Sequence, residues 1–490
     1  MKKLLVALCL VAFACSNEDR VNQAEATGGA GGNGEAAGSQ AAAIETSGNQ
    51  AGTSGSQAGG AGLGASGNQA GASGSQAGVA GSEIEAPFQM LKSSIAYEQN
   101  PVVSTEDADA LAAGNSEFAI DLYHALRSES QDSFLFAPYS ISAALAMTYA
   151  AARNNTEAQM AEALHFTLPQ ERLNPAFNAM NISLNQRAQA AGGQGFTLNI
   201  VNSNWGQKEY HFFDSFLDLL ARNYDAGLRL VDFMNAPEES RDIINAWVED
   251  QTEEKIKELL PPQSIRNNTR LVLVNAVYFK AIWLLPFEAE STATGAFTTL
   301  NGTVTQTPMM KQVMYTSYLD GQGFTALELR YGGNAVSMLL LVPDAGSFEV
   351  FDQELSSARI TEIVECLVPE KIALSIPKWS CSPERIALKE ILQSFGMRDA
   401  FEFNTADLSG MNRDPGTYID NIYHKAFIEV DETGTEASAS TAAVIVRDAG
   451  VDPLPPLGID IDRPFIYLIR DIRTRAILFM GRMLDPSKTQ

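Results

Sequence analysis

The stretch His424-Lys-Ala-Phe-Ile-Glu-Val-Asp-Glu-Thr-Gly-Thr-Glu-Ala-Ser-Ala-Ser-Thr441 decides how the rest of the chain is read. Its first part, Phe427 to Glu432, reads as a strand, and Gly434 then punctuates it. Thr435 to Ala443 follow as small residues with a single charge and no Pro. Successive side chains of an extended chain point to opposite faces. Thr435, Ala437, Ala439, Thr441 and Ala443 would therefore line one face, and Glu436, Ser438, Ser440 and Ala442 the other. The first face can enter a core without burying a charge or a large side chain, and the second can meet water or an overlying layer. Val444 to Gly450 then lead into Pro453-Leu-Pro-Pro456, which resists sheet pairing because proline has no N–H to give. The segment can be a loop or a strand according to circumstance, and composition alone favours an exposed loop.

Outward from this stretch, helical and strand patterns alternate from about Ser104 to Pro486 with no second linker, which reads as one large α+β domain over 104–490. Asn115 precedes Phe118, Leu122, Ala125 and Leu126, the spacing of an amphipathic helix with Asn115 as a capping candidate. Thr156-x-x-Gln159 has the form of a capping box. A third helix is predicted over about Glu239 to Leu260, with Ile243, Ile244, Trp247, Val248, Ile256 and Leu259 on its core face. Strands are predicted at Leu271–Phe279, Val336–Val342, Ile372–Ile376, Phe427–Val430, Phe465–Ile469 and Ile477–Met480.

The beginning of the chain reads differently. Lys2 and Lys3, the apolar run Leu4 to Phe13 and the small residues after it form an export signal, 1–14. Ala12-Phe-Ala-Cys15 resembles a bacterial lipobox, in which Cys15 becomes the lipidated first residue. The Ala12-x-Ala14 pattern equally suits ordinary cleavage and free secretion. From residue 15 to about 103 the chain is expected to be a tether; up to Gly81 it is Gly, Ala, Ser, Gln and Asn with almost nothing to bury. Ser47 to Gly59 recurs nearly unchanged as Ser66 to Gly78, a spacing that suits no solenoid. A coil of roughly 65 residues would reach on the order of 45 Å, enough to hold a domain clear of a cell surface.

Charge and motif content exclude several functions. Lys and Arg number 34 against 59 Asp and Glu, a formal charge of −25, which repels a nucleic-acid backbone and offers no basic patch to a membrane. The match to a dinucleotide fingerprint at Gly29-Ala-Gly-Gly-Asn-Gly34 has no strand before it and no helix after it. C-x-x-C, H-E-x-x-H, G-x-S-x-G and the Walker motif are missing from the sequence, so no metal, cofactor or enzyme activity is expected. His124 and His165 are expected on helical segments among apolar residues. His424 is expected to order a buried hydrogen-bond network rather than transfer protons. Cys366 and Cys381 could form a disulfide or remain two isolated buried thiols.

The opening stretch resembles the hinge of the serpins, the serine protease inhibitor superfamily, and is similar to that of their inhibitory members. Other segments agree in the same order. Phe136-Ala-Pro-Tyr-Ser-Ile141 resembles the family's Phe-Ser-Pro-x-Ser-Ile. Ile244-Asn-Ala-Trp-Val-Glu249 with Thr252, Lys255 and Ile256 resembles a helix signature. Asn275-Ala-Val-Tyr-Phe-Lys280 with Trp283 and Phe287 resembles a central strand, and Arg463-Pro-Phe465 and Leu478-Phe-Met-Gly-Arg482 resemble the C-terminal strands. The resemblance runs from about Asn115 to Pro486.

It implies a fold of three β-sheets and about nine helices, with a reactive-centre loop, 432–462, displayed as bait. The implied activity is inhibition rather than catalysis, and the implied partners are serine, or alternatively cysteine, proteases met by a monomer. The protease cleaves the loop and becomes an acyl-enzyme, and the freed arm enters the central sheet as a strand. The implied hinge is Glu432, Gly434, Thr435, Glu436, Ala437, Ser438, Ala439, Ser440 and Thr441. The implied sheet-opening network is Ser140, Asn275, Trp283 and His424. Ala137 departs from the family's usual Ser and has no side-chain donor. Fourteen positions after Gly434 lies Asp448, cleaved before Ala449; Arg447 is the second candidate for the scissile carbonyl and Val446 the third. A non-inhibitory serpin with a binding or structural role at the cell surface is the alternative the family leaves open.

Overall fold

Val336–Pro343, Phe465–Asp471 and Ile477–Met483 are buried at every position, which is why the sequence shows them as nearly unbroken apolar runs. They pair antiparallel, with Phe134–Phe136 added at the outer side of Ile477–Met483. The computed structural model describes residues 87–190, 196–381, 384–413, 416–435 and 455–488. The predicted export signal, Cys15, the predicted tether as far as residue 86, Glu436 to Thr441, and Val446, Arg447, Asp448 and Ala449 lie outside the described residues.

The described strands form an eight-stranded and a nine-stranded hydrogen-bonded array. The long strand Val304–Gly321 divides the second array into two regions. Residues 304–309 pair with Ala293–Thr298, 309–318 with Val368–Pro377, and 317–321 with Phe324–Arg330. Nine α-helices are present among the described residues, so the fold is the expected α+β assembly of three sheet regions and helices. The eight-stranded array carries the site. Its order is Gln89–Leu91, Leu228–Val231, Phe196–Gln207, Leu271–Ile282, Gly434–Thr435, Ile419–Val430 and Trp379–Cys381, with Ile386–Ala387 also paired to Ile419–Val430.

Several expected boundaries move, each for a tertiary reason. The first helix runs Thr105–Glu129, capped by Ser104, whose hydroxyl accepts from Asp107 N–H at 3.1 Å. Asn115 is therefore mid-helix, buried, and accepts from Ile477 N–H at 3.2 Å instead of capping. Thr156 and Gln159 sit inside helix Asn154–Ala163 and spend their side chains on the backbone of Asp407, Arg398 and Asp399. The helix expected to reach Leu260 ends at Gln251, because Glu253, Glu254 and Glu258 take positive φ. Its motif closes the turn that follows: Asn245 bonds both backbone groups of Leu260, and Thr252 Oγ1 accepts from Ile256 N–H. Residues 87–103, expected within the tether, are joined to the domain by a strand, Gln89–Leu91, and by several hydrogen bonds.

Candidate functional site

Strands Leu271–Ile282 and Ile419–Val430 run parallel and pair directly from Ile419 opposite Leu271 to Phe427 opposite Tyr278. Beyond Tyr278 they part, and Gly434–Thr435 lies between them, antiparallel to both. Gly434 faces Ile282, and Thr435 faces Ala281 on one side and Val430 on the other. The hinge residues Gly434 and Thr435, expected at the root of an exposed loop, are thus already strand residues at the head of the seam. The loop's far end is also in a sheet: Leu457–Asp460 pairs with Val368–Pro377.

The turn that delivers the hinge is held at every residue. Asp431 Oδ1 accepts from Thr433 and Gly434 N–H at 2.8 and 3.1 Å. Trp283 N–H donates to Thr433 O, Phe287 N–H to Glu432 O, and the Trp283 indole N–H to Asp431 O at 2.9 Å. Glu432 bonds Lys378 and Thr292, both at 2.7 Å. Burial acts to raise the Glu432 pKa, but these bonds outweigh it and hold the carboxyl below its ordinary range. Gly434 has no room for a side chain: a Cβ would lie 2.0 Å from Ala281 O and 2.6 Å from Ile282 Cα, both backbone atoms. Gly434→Ala should push the hinge out of the sheet, read as new hydrogen exchange at Thr435 and Ala281; unchanged protection there would refute this packing.

Thr435 is fully buried, and its Oγ1 lies 2.7 Å from Tyr331 Oη. Burial raises the Tyr331 phenol far above its ordinary range, so it stays protonated and can donate this bond. Tyr331 stacks on Trp283, with ring centroids 4.5 Å apart at 10°, and meets Phe279 edge-on. Trp283, Tyr331 and Phe279 thus form an aromatic socket around Thr435.

Lower in the seam, His424 stands opposite Asn275 in the parallel ladder. Its Nε2 accepts from Ala137 N–H at 3.1 Å, which fixes the tautomer and leaves Nδ1–H to donate to Asn275 Oδ1. The Asn275 amide in turn donates to Ser140 Oγ and Asn202 Oδ1. Ser140, Asn275 and His424 are fully buried, and this chain of bonds crosses the line along which a strand would enter.

Burial lowers the His424 pKa to about 3, outweighing hydrogen bonding with the Asn275 backbone, which acts the other way. Above about 6.5 the ring is neutral whether the chain is folded or not. Between about 6.5 and 3 the unfolded ring takes a proton that the folded one refuses, so stability declines as pH falls through that window. At pH 5 the loss is about 2 kcal/mol. Urea unfolding at pH 7.5 and 5 should show a smaller acid penalty by about that amount in His424→Gln; equal penalties in the two proteins would contradict a neutral buried ring.

The family model described as Serpin (serine protease inhibitor) matches residues 113–486. The chain belongs to the serpin family. It is 36% identical over 371 residues to an uncharacterized serpin-like protein of Thermococcus kodakarensis, covering 76% of this chain and 84% of that one. It is 35% identical over 396 residues to the leukocyte elastase inhibitor of Homo sapiens, covering 77% of this chain and all of the relative. Among solved structures it is similar to uncleaved ovalbumin (TM-score 0.68, 25% identity, 77% of this chain and 100% of that one). It is also similar to tengpin, a thermophilic serpin in its native state (TM-score 0.68, 27% identity, 81% and 97%).

In this serpin the four residues expected to govern sheet opening fall into two groups. Ser140, Asn275 and His424 make one network, while Trp283 belongs to the socket above it. The missing Ser at position 137 is no loss, because the bond to His424 comes from the Ala137 backbone amide. Sequence reasoning missed Asn202, Tyr331 and Lys378. Asn202 enters through the register of its strand against Asn275, and Tyr331 and Lys378 carry no signal in the sequence either.

The remaining histidines and cysteines of the serpin have other surroundings. His124 Nε2 meets Leu355 O at 2.9 Å. His165 lies past the end of helix Asn154–Ala163, at φ +54°, and pairs with Asp121 at 2.7 Å, not on a helix as expected. Cys366 and Cys381 are both free; Cys366 is exposed, and burial pushes the Cys381 thiol up to about 12, which makes it a poor nucleophile.

Proposed function

We propose that this serpin is a suicide-substrate inhibitor of serine proteases. The observation that carries the reading is the seating of Gly434 and Thr435 between the two central strands, with the next residues of the chain all small or singly charged. A strand that has already begun can lengthen one residue pair at a time. Each step exchanges ladder bonds between Leu271–Ile282 and Ile419–Val430 for bonds to the incoming arm.

In this reading the protease serine Oγ attacks the carbonyl of Asp448, the bond to Ala449 N breaks, and the serine proton leaves on the new amine. The acyl ester then persists because insertion carries the protease away before water can hydrolyse it. Arg447 in that role would draw Arg-selecting proteases instead, and Val446 elastase-like ones. Export and attachment through Cys15 would place the inhibitor at a cell surface, where external proteases are its targets.

The test mixes residues 86–490 with Asp-, Arg- and Val-selecting serine proteases, followed by denaturing gels and mass spectrometry. An SDS-stable complex with a released fragment starting at Ala449, Asp448 or Arg447 is expected, and the start assigns the specificity residue. Cleavage without complex across the panel, with no gain in thermal stability of the cleaved chain, would overturn inhibition in favour of a binding or structural role.

A further inference from the structure

Residues 87–91 precede the segment that the family model matches, yet they complete the sheet on which insertion depends. Gln89, Met90 and Leu91 pair antiparallel with Leu230, Arg229 and Leu228 at the sheet's outer edge. The next residues hold the strand in place. Lys92 Nζ bonds both the carboxylate and the carbonyl of Asp225, Ser93 Oγ donates to Asp218, and Glu98 N–H donates to Arg222 O at 2.9 Å.

Phe88 carries the contact inward. Its ring meets Trp205 edge-on at 5.1 Å, and Trp205 meets Trp247 edge-on at 5.6 Å. The Arg229 guanidinium lies 4.1 Å from the Trp247 ring and 5.8 Å from the rings of both Phe88 and Trp205. Trp247 is on helix Pro237–Gln251, whose Ile244 and Val248 share a buried cluster with Val272, Val274 and Ala276 of one seam strand and Tyr423 of the other. The helix and the segment after it therefore cover the face of the sheet across the line that must open. Phe88 packs against the far margin of that same cluster.

We infer that Phe88–Leu91 is a clasp that holds helix Pro237–Gln251 down over the seam and so retards loop insertion in the absence of a protease. The inference rests on the insertion mechanism proposed above. A strand entering between Leu271–Ile282 and Ile419–Val430 must pass beneath the covering layer, which has to lift or shift. Fixing one end of that layer to the sheet edge raises the cost of the shift without placing any residue in the strand's path. The clasp belongs to the chain's own N-terminal extension, so whatever loosens that extension would also loosen the restraint.

The test uses the full chain, with Phe88→Ala against the unaltered protein, Phe88→Tyr as the conservative variant and Val102→Ala as an exposed control outside the clasp. Each uncleaved protein is incubated below its melting temperature. Conversion to the inserted form is read as loss of thermolysin cleavage within residues 436–454 together with a rise in Tm. Phe88→Ala should convert about fivefold faster, the scale of one lost aromatic pair. It should also show faster hydrogen exchange over residues 237–251 and unchanged exchange over 389–394. Phe88→Tyr and Val102→Ala should match the unaltered chain. If loop-cleaved unaltered protein gains thermal stability but Phe88→Ala converts and exchanges at the unaltered rate, the clasp is overturned. If the cleaved unaltered protein gains no stability, the insertion mechanism itself falls.

Discussion

On the mechanism proposed above, Thr435→Arg should convert this serpin from an inhibitor into a substrate. Thr435 has no solvent exposure, and its hydroxyl bonds Tyr331 inside the socket formed with Trp283 and Phe279. An arginine there must either bury an unpaired guanidinium, at a cost of several kcal/mol, or leave the sheet and withdraw Gly434 with it. In both cases insertion starts behind a higher barrier, while cleavage of the loop and hydrolysis of the acyl ester keep their rates. Each 1.4 kcal/mol added to that barrier lowers the insertion rate about tenfold. The moles of inhibitor consumed per protease trapped should therefore rise at least tenfold, with the rate of loop cleavage unchanged. Thr435→Ser, which keeps the hydroxyl, should behave as the unaltered protein. An unchanged stoichiometry in Thr435→Arg would sink the insertion mechanism.

Asn275→Ala should weaken the native state more than any other single change in the seam network. The amide joins His424 across the seam to Ser140 and Asn202 behind it. Removing it leaves the His424 Nδ1–H buried without its acceptor and Ser140 and Asn202 without its donor. At about 1–3 kcal/mol for each buried polar group left unsatisfied, the expected loss is roughly 3 kcal/mol of unfolding free energy. Ser140→Ala, which removes one acceptor and leaves the His424 bond intact, should cost about 1 kcal/mol. Urea unfolding monitored by far-UV circular dichroism measures both. Equal midpoints for Asn275→Ala and the unaltered protein would show that the network does not hold the seam.

Under the proposed mechanism the two sites divide the labour of a sheet that must stay closed until its loop is cut and open quickly afterwards. The socket holds Thr435 in register, so the proposed elongation would not have to begin from an unpaired end. The network lower in the seam supplies polar bonds directly along the line of entry, and these add to the parallel ladder there. Phe279 of the socket packs on Phe479 of the C-terminal strands, with ring centroids 5.6 Å apart, and the glycine and arginine of those strands bind them to their neighbours. At Gly481 a Cβ would lie 2.4 Å from Phe134 O, and Arg482 reaches Asp352 at 3.1 Å and Ser130 O at 2.6 Å. That close packing is what the Leu478-Phe-Met-Gly-Arg482 motif encodes.

The amino-acid pattern by itself determined the strands of the core, because residues buried on both faces are mostly apolar, with only Ser337, Arg470, Asp471 and Arg482 as buried polar exceptions. Val336–Pro343, Phe465–Asp471 and Ile477–Met483 extend the predicted runs by one to three residues. It also determined that the hinge can be buried, since small side chains announce themselves one residue at a time. Only the tertiary structure decided that Thr435 is buried already, because that depends on where two strands 149 residues apart in the chain separate, as measured from His424 and Asn275. The same holds for the partners of His424. A backbone amide such as that of Ala137 leaves no trace in residue identity, and Asn202 joins the network through strand register alone. The N-terminal strand escaped for a related reason: three residues are too short to show a period, and what holds them is the edge of a sheet built from residues far down the chain.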